Sequence, residues 1–291
     1  MQTITGTTKL LGIIGDPVEH SLSPVMQNAA IADLGVDYIY IPFPVKPQNL
    51  ETALMGFSVV GVQGFNVTIP YKQAILPLLS EVTIIAKLVG AVNTVWWTEI
   101  GWQGTNTDVI GFLAPLKRLS KNWQTTNPII LGNGGAARAV VVGLAELGCS
   151  QIRILGRDRN KLKKFQQSWE NSNLKTSITV HPWDELSAIL PETELIVNTT
   201  PLGMFPNVNN SPIDHSLWQQ ISNNAIAYDL IYTPSPTQFL KDAKQQGLMT
   251  IDGLDMLVYQ GAAALELWLK QAVSAEVMSQ ALEEYLLMVN S

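Results

Sequence analysis

The short apolar run Pro128–Leu131 (PIIL) leads directly into Gly132-Asn133-Gly134-Gly135-Ala136-Ala137, and then into an apolar stretch that stops at Gly148. A buried strand, a G-x-G-x-x-A turn and a helix in immediate succession form the dinucleotide-binding fingerprint. Gly132 permits the tight turn, Gly134 lets backbone approach a pyrophosphate, and Ala137 is small enough for close helix–strand packing. The helix that opens at Gly135 presents free N–H groups and partial positive charge to phosphates. Glycine spacing alone is weak evidence. The flanking strand and helix supply the context that the motif requires, and a glycine-rich turn without a ligand is the remaining alternative.

The rest of the chain carries the same alternation. Before the fingerprint, strands are expected at Lys9–Gly15, Tyr38–Pro44, Gly64–Thr68 and, as a hairpin around Ile100-Gly101, at Val92–Glu99 and Trp102–Thr107. A helix is expected over Pro24–Leu34, with Ser23 as N-cap and proline in the first turn. Further helices are expected from Pro47 to Gly56 and after Pro70. Beyond the fingerprint, strands at Gln151–Leu155, Ser177–His181, Glu194–Asn198 and Ala225–Leu230 alternate with helices at Arg159–Trp169 and Pro236–Gln246. Strands joined by crossover helices imply a parallel, doubly wound α/β sheet. The last segments, Leu254–Ala272 and Ala275–Met288, read as helices. The predicted organisation is an α/β domain over residues 1–108, a Rossmann-type domain over 109–251 and helices over 252–291.

Charge narrows the function. Eighteen basic against 24 acidic residues give a net charge of −6, and only 14% of residues are charged. Nucleic-acid contacts need clustered Lys and Arg, so a nucleic-acid partner is not expected. The single cysteine, Cys149, and three scattered histidines speak against a disulfide framework or a metal site. No apolar run approaches the length of a membrane span and the N-terminus lacks a signal-peptide pattern, so a cytoplasmic protein is expected. The basic residues are nonetheless concentrated: Arg153–Lys164 holds six of the 18 with one acid, Asp158. After the second strand of such a domain, an acid favours the ribose hydroxyls of NAD and an arginine favours the 2′-phosphate of NADP. Arg157, Asp158 and Arg159 offer both.

Two further residues point to acid/base chemistry. Lys72 is the only basic residue between Lys46 and Lys87, and Asp108 follows a hydroxyl-rich segment. A lysine and an aspartate around one hydroxyl can move its proton. Taken alone, a surface ion pair, or a helix cap for Asp108, explains them equally well. Ser21, Ser23, Thr68, Asn93 and Gln260 are neutral hydrogen-bonding groups.

Several motifs then combine: His20-Ser21-Leu22-Ser23-Pro24, Asn66-Val67-Thr68-Ile69-Pro70-Tyr71-Lys72, Gly90-Ala91-Val92-Asn93-Thr94, Gly104-Thr105-Asn106-Thr107-Asp108, Asn198-Thr199-Thr200-Pro201-Leu202-Gly203-Met204, Tyr232-Thr233-Pro234, and Gly253-Leu254-Asp255-Met256-Leu257-Val258-Tyr259-Gln260. In this order the chain, from about Leu11 to Ala263, resembles the shikimate dehydrogenase family. The resemblance implies reversible NADPH-dependent reduction of 3-dehydroshikimate to shikimate, in aromatic amino-acid biosynthesis. It implies Lys72 and Asp108 as the catalytic pair and Ser21, Ser23 and Tyr232 on the substrate carboxylate. Thr68, Asn93, Asp108 and Gln260 would hold the ring hydroxyls. The cofactor would lie against Gly132, Asn133, Gly134, Gly135, Ala136, Arg157, Asp158, Arg159, Thr200, Met204, Leu230 and Gly253. The C-terminal helices would return to complete the substrate domain, and the protein would be a monomer or homodimer.

The chain departs from the family pattern in places. Asn133 stands where the family has alanine, Gly156 where it has asparagine, and Asp158 where it has threonine. Gln27 replaces a histidine and reads as peripheral. Asp158 would repel a 2′-phosphate if it faced it, so NADP is expected, with NAD as the alternative. The competing functions are an NAD-linked quinate/shikimate dehydrogenase and a non-catalytic nucleotide-binding regulator on the same fold.

Overall fold

A computed structural model describes residues 3–290. The chain divides into two compact units, one comprising the residues up to Gly111 together with those from Leu257 onward, the other Phe112–Met256.

The first unit is built on a six-stranded mixed sheet. Its strands are β1 (Lys9–Gly15), β2 (Tyr38–Pro44), β3 (Val62–Val67), β4 (Glu81–Val82), β5 (Thr94–Thr98) and β6 (Gly101–Thr105), in the order β2-β1-β3-β5-β6-β4. The pairs β1–β2, β1–β3 and β4–β6 are parallel, whereas β3–β5 and β5–β6 are antiparallel. Central β1 is buried from Leu11 to Gly15, as its unbroken apolar run requires of a strand covered on both faces. The hairpin closes with Thr98 opposite Gly101, so β6 begins at the glycine, whose φ of 112° few other residues tolerate.

Helix Ser23–Asp33 lies over this sheet and packs against helix Ala275–Asn290. Asn28 fastens the first of these to β2, accepting from Tyr40 N and donating to Tyr40 O. Ser23 is not the N-cap. Leu22 already has helical angles (φ −83°, ψ −6°) and occupies that position, with no side-chain cap. Trp268, on helix Gly253–Leu269, donates its indole N–H to Val95 O and rests on Gly64, where even a Cβ would lie 2.2 Å from the indole nitrogen.

The second unit contains β7 (Pro128–Leu131), β8 (Gln151–Gly156), β9 (Ser177–Pro182), β10 (Leu195–Asn198), β11 (Ile226–Asp229) and β12 (Met249–Ile251). All are parallel, in the order β12-β11-β10-β7-β8-β9. This is the doubly wound dinucleotide-binding arrangement, and its topological switch point lies between β7 and β10. β7, β10 and β11 are buried along their whole length. Ile129, Leu131, Ile196 and Ala227 from these strands form a core with Trp218 and Phe239, whose rings meet edge-on at 5.1 Å. Burying such side chains contributes about 1.5–3 kcal/mol each before entropy is counted. Arg153, the first of the basic residues in the stretch Arg153–Lys164, is buried and donates to the carbonyls of Asn127 and Ile189.

Candidate active site

Lys72 stands on the short helix Tyr71–Ala74, which follows β3, and Asp108 is the first residue of the helix Asp108–Lys117, which follows β6. Their neighbouring strands bring Lys72 Nζ to 2.7 Å from Asp108 Oδ2, with the lysine side chain 24% exposed and the aspartate 8%. The cap explanation for Asp108 fails, because its other oxygen, Oδ1, accepts from Asn93 Nδ2 at 2.8 Å rather than from its own helix. The pair is also no ordinary surface bridge, since Asp108 is buried and carries two charge-assisted or amide bonds.

Asn93 is the centre of this cluster. Its Nδ2 lies 3.0 Å from Thr107 Oγ1 and 3.3 Å from Gln260 Oε1, and its Oδ1 accepts from Thr107 N at 2.7 Å. Behind it, Tyr40 O–H donates to Asn66 Oδ1, and Asn66 Nδ2 donates to Asn93 O and Thr94 Oγ1. Burial pushes the Tyr40 phenol well above its usual range, so it stays a neutral donor. Asn66, Thr94 and Thr107 lie inside the sequence motifs but carry no site signal of their own, and Tyr40 carries none beyond the strand pattern.

Gln260 reaches the cluster from helix Gly253–Leu269, donating Nε2 to Leu257 O. Gln27, expected to be peripheral, is fully buried and donates to Gly261 O at 3.0 Å, one residue from Gln260. It therefore fixes the helix that presents Gln260. Ser21 and Ser23 sit at the start of helix Ser23–Asp33, with Ser23 N donating to Ser21 Oγ and Ser23 Oγ meeting the Tyr40 hydroxyl. Thr68 lies at the exit of β3, its methyl where a Cβ on Gly15 would meet it at 2.6 Å. Tyr232 belongs to the second unit, where burial raises its phenol above the usual value.

In the second unit the fingerprint turn connects β7 to helix Gly135–Glu146. Gly132 has φ 103°, and a Cβ there would meet Thr199 Oγ1 at 2.7 Å and Thr200 Cγ2 at 3.2 Å, so the loops after β7 and β10 touch at the switch point. Thr200 turns inward, donating N–H and O–H to Asn198 Oδ1. Gly134 caps the helix without a side-chain partner, and a Cβ on either Gly134 or Gly135 would meet nothing within 4 Å. Open space above unpaired helix N–H groups fits a pyrophosphate. Gly253 is a packing glycine, because a Cβ would lie 2.2 Å from Leu230 O, whereas Met204 is 40% exposed and not core.

Asp158 resolves its own ambiguity. It is the N-cap of helix Arg159–Gln167, accepting from Asn160 N at 2.9 Å and Lys161 N at 3.1 Å. These backbone bonds, the one from Lys161 first, hold its carboxyl below the ordinary value. Its carboxylate is thus turned into the helix start. Arg159 pairs with Asp184 at 3.2 Å on the surface, and Arg157 is exposed. Among the described residues no group of metal-ligating side chains occurs, and no helix is long and apolar enough to cross a membrane.

Three family profiles match: "Shikimate dehydrogenase substrate binding domain" over residues 13–95, "Shikimate / quinate 5-dehydrogenase" over 115–255 and "Shikimate 5'-dehydrogenase C-terminal domain" over 253–283. A shikimate dehydrogenase (NADP(+)) of Crocosphaera subtropica is 74% identical over 286 residues, covering 98% of this chain and 99% of the relative. The chain belongs to the shikimate dehydrogenase family. Solved members share its fold. A shikimate dehydrogenase in complex with NADP+ aligns with a TM-score of 0.89 at 37% identity, covering 97% of both chains. The Listeria monocytogenes shikimate 5-dehydrogenase in complex with shikimate and NAD aligns at 0.87 and 31%, covering 97% of this chain and 99% of that one.

Proposed function

We propose that this protein is an NADP-dependent shikimate dehydrogenase that reversibly reduces 3-dehydroshikimate to shikimate. The observation that carries the mechanism is the Lys72–Asp108 contact of 2.7 Å, anchored from behind by Asn93. NADPH, held by the turn Gly132–Gly135, would supply the hydride for the ring carbonyl carbon. Lys72, in its ammonium form, donates a proton to the oxygen as it becomes a hydroxyl, and its neutral amine takes that proton back in the reverse direction. Asp108 accepts from the substrate hydroxyl and balances the charge of Lys72. General acid/base assistance of this kind contributes about 10²–10⁴-fold in rate.

Thr68, Asn93 and Gln260 hold ring hydroxyls, and Ser21 and Ser23 take the carboxylate. These neutral groups discriminate through hydrogen bonds whose loss would leave buried partners unpaired. The part of Tyr232 on the carboxylate rests on the family resemblance. Gly132, Gly134 and Gly135 hold the pyrophosphate. Thr200, Met204 and Leu230 line the remainder of the dinucleotide site, and Gly253 packs against Leu230 O behind them. Arg157 and Arg159 receive the 2′-phosphate. The argument for NAD rested on Asp158, whose carboxylate caps a helix instead. We place the enzyme in the cytoplasm, as a monomer or homodimer.

The test is an initial-rate assay that crosses shikimate and quinate with NADP and NAD. Turnover fastest with shikimate and NADP supports the proposal; turnover with none of the four pairs, or only with quinate and NAD, overturns it.

A further inference from the structure

Asn133 and Gly156, two of the departures seen in the sequence, are neighbours in space. Asn133 follows β7 and Gly156 ends β8, and a Cβ built on Gly156 would sit 3.3 Å from Asn133 Oδ1. The same Cβ would lie 2.9 Å from Leu162 Cδ2, so Leu162 and the Asn133 amide together border the space beside position 156. Asn133 is half-buried, and among the described residues it makes no hydrogen bond. Its amide is thus uncommitted within the protein and open to a ligand. Its surroundings suggest one. The end of the second strand of a doubly wound domain is where the adenosine ribose is recognised. Here that strand end has no side chain at Gly156, the next acid is committed to Asn160 N and Lys161 N, and Arg157 beside it is exposed.

We infer that Asn133 is a specificity-determining residue, whose Nδ2 donates to the 2′-phosphate of NADP in place of a side chain from position 156. The fingerprint turn then contributes twice, with its backbone to the pyrophosphate and with this one amide to the ribose phosphate. Arg157 supplies the charge at the same corner, and Asn133 supplies a directed neutral donor. The inference rests on the cofactor assignment above.

Calorimetric titration of the full chain with NADP+ and with NAD+, without substrate, tests it. Asn133→Ala raises the Kd for NADP+ about 10-fold, the low end for a hydrogen bond to a charged partner, while that for NAD+ stays within about two-fold. An unchanged Kd for NADP+ or an equal loss for both dinucleotides overturns the inference. The wild-type preference for NADP+ over NAD+ is read in the same titrations, so failure of the cofactor assignment is distinguishable from failure of the role of Asn133.

Discussion

Lys72 and Asp108 lie 36 positions apart and meet through a single carboxylate oxygen, Oδ2, while Asn93 holds the other. Each oxygen has its own partner, so the carboxylate cannot rotate without losing one of them. This orientation is inherited from the sheet. Lys72 follows β3, Asn93 precedes β5 and Asp108 follows β6, and these three strands are adjacent.

Asn93→Ala is expected to destabilise the protein by about 2–3 kcal/mol, because it strands the buried Asp108 Oδ1, Thr107 and Gln260 together. Differential scanning calorimetry checks this. A wild-type melting temperature would show that the amide is not the centre of the cluster.

Asp158→Ala should lower stability through loss of the helix N-cap, and should leave the ratio of kcat/KM for NADP to that for NAD unchanged. Denaturant unfolding and steady-state kinetics on the same variant separate the two effects. A marked gain in preference for NADP on removal of the carboxylate would mean that it faces the ribose after all.

Asp229 is fully buried, and burial pushes its carboxyl up to about 6, against the bonds it accepts from Thr237, Ile231 N and Asn198. A raised folded-state value means that the native protein holds this proton more tightly than the unfolded chain does. Its contribution to stability therefore falls as pH rises from about 4 to 6, by roughly 3 kcal/mol at most. Asp229→Asn abolishes that dependence. The stability of wild type relative to this variant should be higher at pH 4.5 than at pH 7.5 in urea titrations, and a difference independent of pH contradicts the assignment.

The doubly wound unit was legible because parallel strands buried on both faces read as uninterrupted apolar runs; PIIL is observed with its expected bounds, and LIVN and IAYD within one residue of theirs. β4 and β12, of two and three residues, are too short to show any period. Asp158 carried two signals at once. An aspartate before a helix is a cap, and an acid after the second strand is a ribose ligand; only the hydrogen bonds decide between them. Asn133 and Gly156 are 23 positions apart, and no local pattern relates them. A serine before proline resembles a cap, whereas Leu22, which follows the turn from Val18 to Ser21, is already in helical conformation and its carbonyl accepts from Val25 N. Gln27 looked peripheral because its partner, Gly261 O, is 234 positions away.

The central claim is that Lys72 moves the proton of the substrate hydroxyl. Steady-state kinetics of Lys72→Ala with shikimate and NADP tests it most directly. The account predicts a fall in kcat of at least about 100-fold with a much smaller change in KM. A variant with the wild-type kcat would remove Lys72 from the chemistry.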